Sequence, residues 1–390
     1  MFQNKKILLG VCGGIAAYKA VDLASNLTGM GAEVRTIMTA SAYELISPVT
    51  FKSITHQKVV TRLFDADADI EHISLADWAD IIIVAPATAN IIGKVAAGIA
   101  DDLLSTTIMA ATAPVCFVPA MNVHMYENPI LQENILKLGE HGYFFLEPET
   151  GRLACGYEGK GRFPKTDEIL HFAATHLKYQ RDLKNIPILI TAGASRESID
   201  PMRFITNHSS GRMGLALARA AHFRGARVTL IHAAVSQDIP GYLNGIETLT
   251  ASEMYDKVLQ EFPHHKIIFK TAAVADYTPA RQAGQKIKKQ DALKLELLRT
   301  KDILAELGKL KKKDQILVGF AAESENIIAN AREKLVQKNL DFIVANDLKV
   351  AGRNDTEVTL ISQNSEEKLS GSKFEVAHQI IDRVVGRKNE

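Results

Sequence analysis

Short apolar runs alternate with helical patterns along the chain. Lys6–Cys12 (KILLGVC) reads as a buried strand. Gly13 and Gly14 follow, then apolar residues at helical spacing from Ile15 through Leu27. Gly29 and Gly31 punctuate a turn before a second strand, Glu33–Met38. This order predicts a parallel βαβ unit. It recurs from Pro187: a strand at Ile188–Thr191, Gly193, a helix from about Met213 to His222, then FRGARVTLIHAAVS as turn and strand. Ile81–Ala85, Val115–Pro119, Ile267–Thr271, Ile316–Phe320 and Phe342–Ala345 are further short apolar runs, as buried parallel strands require. The pattern predicts an α/β fold with two Rossmann-like domains and parallel sheets. The polar, charged stretch from His176 to Ile186 separates them, giving domains 1–180 and 186–390.

Length agrees, since 390 residues exceed one typical domain. Composition is ordinary for a globular protein, 46% hydrophobic and 23% charged. A net charge of +1 gives no global field for nucleic acid or an anionic membrane. The 3 cysteines, Cys12, Cys116 and Cys155, lack zinc spacing and fit a reducing cytoplasm. The N-terminus lacks the apolar core and cleavage site of a signal peptide, and no stretch reaches the length of a membrane span.

The first turn, Gly10-Val-Cys-Gly13-Gly14, is not G-x-G-x-x-G, and the second strand ends in Thr39 and Ser41 without an acidic residue. That argues against NAD and suits a single phosphate held by backbone N–H groups. Ala85-Pro-Ala87-Thr88-Ala-Asn90 follows a buried strand and opens a helix, where sheet ligands sit. GIADDLL at 98–104, PAMN with Met121 and Asn122, and LACGYEGKGR around Cys155 complete the first set. Four glycines, at 151, 156, 159 and 161, crowd Cys155 and read as a mobile flap. Taken singly, Asn122 equally reads as a helix cap, and Cys155 as an incidental thiol. Cys12 and Cys116 read as small core residues.

The ordered GGIAAYK, APATAN, GIADDLL, PAMN and LACGYEGKGR motifs resemble the FMN-binding cysteine decarboxylases over the whole first half. The resemblance implies a flavodoxin-like flavoprotein domain that decarboxylates phosphopantothenoylcysteine. It implies FMN held by Gly13, Gly14, Ser41, Ala87, Thr88, Asn90 and Met121. It further implies His72 as base or organiser of thiol oxidation, Asn122 on the substrate carboxylate, and Cys155 as proton donor to the enethiolate. Flavin chemistry suits the task, because loss of CO2 from an N-acylcysteine needs an electron sink that oxidation of the CH2–SH group supplies.

The second half contains Thr191-Ala-Gly193, Arg203, Asn207, Gly211-Arg-Met-Gly214, Ala-Asp276-Tyr, Lys286-Ile-Lys-Lys289, Gly-Phe320 and Asn346-Asp347 in order. This set resembles the phosphopantothenate–cysteine ligases, and both halves together resemble the fused bacterial enzymes of coenzyme A biosynthesis. The resemblance implies CTP as co-substrate at Lys301, Asp302, Ile303, Leu304, Phe320, Lys334 and Lys338, with Arg203 on phosphopantothenate and Asn207 on an acyl-cytidylate. Activating a carboxylate with a triphosphate calls for a divalent cation and lysines. Asp276 is the natural Mg2+-side carboxylate and Lys286 the natural phosphate clamp. One departure stands out: Lys301 occupies a place where the family carries proline. The resemblance also implies a homo-oligomer, with trimeric contacts in the first half and dimeric contacts in the second. The partners expected are small molecules, with no nucleic acid and no membrane. Relatives of the first fold include FMN-binding regulatory proteins and flavin prenyltransferases. His72, Asn122 and Cys155 weigh against the former and the attached second half against the latter. Lys309–Lys313 reads as solvated surface, and His264–His265 beside Pro263 as an exposed turn.

Overall fold

The computed structural model describes residues 1–64, 71–179, 181–289, 293–323, 326–347 and 355–386. The chain divides into two compact units, Met1–Gln180 and Arg181–Glu390.

In the first unit the strands are β1 (Lys6–Val11), β2 (Glu33–Met38), β3 (Val59–Val60), β4 (Ile81–Ala87), β5 (Val115–Pro119) and β6 (Phe144–Phe145). They form a parallel sheet in the order β3-β2-β1-β4-β5-β6. Every residue of β4 is buried, as a central strand covered on both faces demands. Each isoleucine there contributes roughly 1.5–3 kcal/mol by leaving water. The first helix is Ala17–Gly29 rather than Ile15–Leu27, and Ile15 is left 65% exposed. The GIADDLL motif has a local physical role. Asp102 caps the helix Leu103–Ala110 through Ser105 N, and Lys94 Nζ bridges Asp101 and Asp102 at 2.6 and 2.7 Å. A hairpin of β7 (Glu149–Arg152) and β8 (Glu158–Arg162) carries Cys155 in its loop.

The second unit contains β9 (Pro187–Ala192), β10 (Arg196–Ser198), β11 (Phe204–Thr206), β12 (Arg227–His232), β13 (Asn244–Glu247) and β14 (Ile267–Lys270). It continues with β15 (Tyr277–Pro279), β16 (Leu297–Arg299), β17 (Ile316–Glu323), β18 (Phe342–Asp347), β19 (Asp355–Ser362) and β20 (Glu366–Ser372). The main sheet runs β13-β12-β9-β14-β17-β18-β19-β20. Its first six strands are parallel, and β19 and β20 add antiparallel, an edge that the wholly parallel expectation lacks. The hairpins β10–β11 and β15–β16 stand outside this sheet.

Arg224, buried at 2% exposure, donates to Asp182 and to Asp382 on the helix Lys373–Gly386. Two surface expectations fail. His265 is buried, with Nδ1 2.7 Å from Glu261 O and Nε2 2.9 Å from Thr229 Oγ1, and burial pushes its pKa down. Lys311 leaves the lysine run to pair with Asp341 at 3.0 Å.

Candidate functional sites

Strand order locates both sites. In the first unit the chain lays β2 and β3 on one side of β1 and β4 to β6 on the other. In the second it lays β12 and β13 on one side of β9 and β14, β17 and β18 on the other. Each reversal leaves a crevice beyond the carboxyl ends of the two central strands.

In the first unit that crevice gathers the predicted turns. A Cβ on Gly13 would fall 2.2 Å from Ser41 Cβ, so only glycine lets the two loops touch. Thr88 caps the helix Ala89–Ala97, and Asn90 sits exposed in its first turn. Ala87 is fully buried and Met121 packs on the core, so Ala87 offers a ligand its backbone alone. Backbone N–H groups, Ser41 and Thr88 fit a phosphate-bearing flavin.

The reactive-looking pair lies beside this crevice. Asn122 caps the helix Val123–Tyr126 by accepting from His124 N at 2.8 Å, and its Nδ2 donates to Cys155 Sγ at 3.2 Å. Capping and contact therefore coexist in one side chain. The hairpin is held there by close approach. Gly161 O accepts from Met121 N at 3.0 Å, and a Cβ on Gly161 would lie 2.2 Å from Met121 O. Cys155 is exposed, and the backbone N–H of Tyr157, then the Asn122 amide, push its pKa below the ordinary thiol value. The proton-donor role that the resemblance implies for Cys155 calls for a protonated thiol, whereas these donors favour its anion. Cys12 and Cys116 are buried core thiols, and burial raises the pKa of Cys12 to about 12. His72 lies half-buried in the first turn of the helix Glu71–Trp78. Among the described residues it makes no hydrogen bond to Asn122 or Cys155.

In the second unit, Asp200 organises two predicted residues at once. Its buried carboxylate accepts from Met202 N and Arg203 N at 2.8 Å each, from Arg203 Nε and Nη2, and from Ile287 N at 3.1 Å. Burial alone would raise its pKa; these donors outweigh that and hold it at about 2. Arg203 Nη2 also donates to Ile287 O at 2.7 Å. Arg203 thus anchors the loop bearing Lys286, and a cavity of about 340 Å³ lies among Arg203, Lys286, Lys288 and Lys289. Its charge fits an anionic group.

Asn207 Nδ2 donates to Val274 O at 3.1 Å, beside Asp276. Asp276 is exposed, and no cluster of three acidic, histidine or cysteine ligands exists among the described residues. A magnesium ion here would need oxygens from its substrate, as suits a metal that arrives with a triphosphate. Thr300 ties the next segment to this loop, its N to Asp276 O at 2.9 Å and its Oγ1 to Ala275 O at 2.6 Å. Lys301 places Nζ 4.6 Å from the Tyr255 ring centroid. Asp302 caps the helix Ile303–Leu310 and pairs with Lys338 at 2.8 Å. Ile303 and Leu304 are core residues, so only their backbone can meet a ligand. Lys334 is half-buried on the helix Ile327–Gln337, one turn before Lys338.

A second cavity, of about 260 Å³, is lined by Gly211, Arg212, Thr271, Phe320, Asn346 and neighbours. Gly211 caps the helix Arg212–Phe223 at φ 70° without a side-chain acceptor, so the helix start presents N–H groups. A Cβ on Gly214 would lie 2.6 Å from both Ala192 Cβ and Thr271 Oγ1, which explains the paired glycines. Among the described residues, Asn346 Oδ1 is buried without a hydrogen-bond partner. Anion-binding N–H groups, an aromatic ring and an orphan acceptor suit a nucleotide. Gly211, Gly214 and Asn346 stand in the sequence without an evident role, and Asp200 as organiser is visible only in the fold. A glycine pair opening an amphipathic helix was the available signal.

Comparison with known proteins follows the same division. A family model described as Flavoprotein matches residues 1–178, and one described as DNA/pantothenate metabolism flavoprotein C-terminal domain matches 183–387. The coenzyme A biosynthesis bifunctional protein CoaBC of Bacillus subtilis (strain 168) is 50% identical over 396 residues, 98% of this chain and 97% of that one. The protein of the same name from Borreliella burgdorferi is 45% identical over 386 residues, 98% and 99% of the two chains. A solved structure of the C-terminal domain of a CoaBC protein is 37% identical, with a TM-score of 0.46, covering 53% of this chain and 98% of that one.

Proposed function

This chain belongs to the bifunctional proteins of coenzyme A biosynthesis, with decarboxylase and ligase activities, and from that premise we propose how its two units divide the work. The second unit joins cysteine to 4'-phosphopantothenate, with CTP and Mg2+ activating the carboxylate as an acyl-cytidylate. The first unit decarboxylates the 4'-phosphopantothenoylcysteine so formed, giving 4'-phosphopantetheine with FMN as cofactor. The observation that carries the reading is the contact between Asn122 and Cys155 beside a phosphate-fitting turn.

FMN, when bound, supplies a reversible two-electron sink for the thiol carbon. Gly13, Gly14, Ser41, Thr88 and Asn90, with the backbone of Ala87 and the side of Met121, hold it. Asn122 orients the substrate carboxylate without adding charge. Cys155 returns a proton to the enethiolate, and its donors let the resulting thiolate persist until reprotonation. His72 organises removal of the substrate thiol proton.

In the ligase reaction Arg203, fixed by Asp200, and the neighbouring lysines hold the phosphate of phosphopantothenate. Lys286 neutralises charge developing on the activated carboxyl. Asn207 positions the acyl-nucleotide, and Asp276 would help hold a Mg2+ that neutralises the triphosphate's charge. Lys301, Asp302, Phe320, Lys334 and Lys338, with the backbone of Ile303 and Leu304, receive the nucleotide. Because Cys155 must remain a free thiol, the enzyme works in a reducing compartment, the cytoplasm. Among the described residues, no helix is long and apolar enough to cross a membrane. Association through both halves, trimeric in the first and dimeric in the second, is supported by exposed apolar side chains. Ile15 and Ile73 are such residues in the first unit, and Tyr277, Leu297 and Leu298 on the β15–β16 hairpin in the second.

The test is one assay: purified protein with phosphopantothenate, cysteine, magnesium and each nucleotide in turn, products identified by mass. CTP-dependent phosphopantothenoylcysteine followed by phosphopantetheine is expected. Decarboxylation that persists after complete removal of flavin would overturn the first-unit assignment.

A further inference from the structure

Lys270 ends β14, one of the two strands that flank the second unit's crevice. Side chains alternate along a strand, so Lys270 shares the face of Ile268. That face is covered by the helices Ile303–Leu310 and Ile327–Gln337, whose Ile303, Leu307, Ala331 and Leu335 join Ile268 in one core. The ammonium of Lys270 donates to Ala272 O at 2.7 Å. Among the described residues it makes no ion pair. The charges that act on it are those of Lys338, Asp302 and Asp276, and Lys338 is already paired with Asp302 at 2.8 Å.

Burial first, then repulsion from Lys338, push the Lys270 ammonium down to about 8. Lys270 is half-buried, and an ammonium with a neutral carbonyl for partner and a second cation nearby is held less well than one met by an anion. Lys301 adds a further cation on the segment that carries Asp302. Among the described residues, Lys270, Lys338 and Lys301 thus gather near two carboxylates, Asp302 and Asp276, of which Asp302 is already paired.

We propose that Lys270 is a binding and specificity residue for the nucleotide polyphosphate, its ammonium moving from Ala272 O to a phosphate oxygen beside Lys338. This rests on reading the second unit as a nucleotide-dependent ligase. A contact to the polyphosphate distinguishes a triphosphate from a monophosphate, which a contact to base or ribose does not.

The experiment uses the full chain. Lys270→Met removes the charge, Lys270→Gln keeps a donor for Ala272 O, and Lys270→Arg keeps the charge. Measured quantities are the KM for CTP in ligation, inhibition by CMP, the melting temperature of the second unit's own transition as the folding control, and decarboxylation of supplied phosphopantothenoylcysteine as a check that the first unit is untouched. Loss of one charge-assisted contact predicts a CTP KM raised about tenfold or more in the Met and Gln variants. CMP inhibition should change less than about twofold, and Arg should restore most of the loss. An unchanged CTP KM in a folded Met or Gln variant overturns the proposal. So does equal weakening of CTP and CMP with a lowered melting temperature, the mark of a purely structural lysine. Wild-type ligation indifferent to every nucleotide sinks the ligase reading itself, and this inference with it.

Discussion

The amide nitrogen of Asn122 lies 3.2 Å from the sulfur of Cys155, across 33 residues of chain. The relation ties the loop after β5 to the tip of the β7–β8 hairpin. It also fixes the electrostatics of the thiol, since the Tyr157 N–H and the Asn122 amide both favour its anion.

Cys155→Ser should leave CO2 release intact and accumulate a product one pair of hydrogens lighter than phosphopantetheine. Mass spectrometry of a single turnover reads this directly. Wild-type phosphopantetheine from the variant would remove Cys155 from the reaction. Asn122→Ala should raise the thiol pKa, so alkylation of Cys155 at neutral pH slows; an unaltered pH profile of alkylation argues against the contact.

Gly161→Ala introduces a methyl group 2.2 Å from Met121 O. The hairpin must shift, carrying Cys155 away from Asn122. We expect decarboxylation to fall at least about tenfold, with a stability cost of ~1–3 kcal/mol in the first unit. Ligation should be unchanged. Equal loss of both activities would point to general misfolding.

Asp200→Asn weakens the anchor shared by Arg203 and the Lys286 loop. The KM for phosphopantothenate should rise about tenfold while decarboxylation of supplied intermediate is kept. The wild-type carboxylate titrates at about 2 when folded, below the 3.8 of its ordinary value. Its stabilisation is therefore complete above 3.8 and lost as the pH falls toward 2. The variant's stability should be flatter across that window, measured by denaturant titration. Parallel acid profiles for the two proteins would contradict this.

Asn207→Asp replaces a donor with a charge beside Asp276. Ligation should drop by about two orders of magnitude with decarboxylation intact. A proportional loss of both would argue against separate sites.

Arg224→Ala leaves Asp182 and Asp382 without their shared cation. Both carboxylates stay in reach of water, so the expected cost is about 1–3 kcal/mol in the second unit. Calorimetry should show one transition lowered and the other fixed; a joint shift would mean the units unfold together.

Much of this was legible in advance. The runs at 33–38 and 115–119 match β2 and β5 end to end, the first because alternation in EVRTIM follows turn glycines and the second because VCFVP is a continuous apolar run. Residues whose role is set by neighbours distant in sequence were not legible. Asp200 carries no signal of its own in the sequence, because the Ile287 N–H on its carboxylate comes from 87 residues away. Lys270 falls inside the expected strand Ile267–Thr271 and is not singled out there, since its contacts depend on which face it takes. His265 looked exposed because its partner Thr229 lies 36 residues away. Antiparallel β19 and β20 escaped because an amphipathic hairpin lacks the uniform apolarity of buried strands.

The double tie from Thr300 to Ala275 and Asp276 makes one mechanical piece of two loops that the sequence separates. Lys301 and Asp302 begin at the residue after that tie. A nucleotide settling against them cannot displace their loop without also pulling on the backbone of the acidic residue opposite. On the proposed ligase reading, recognition at one end of the ligand would thereby be reported, through two hydrogen bonds, to the end where its leaving group departs.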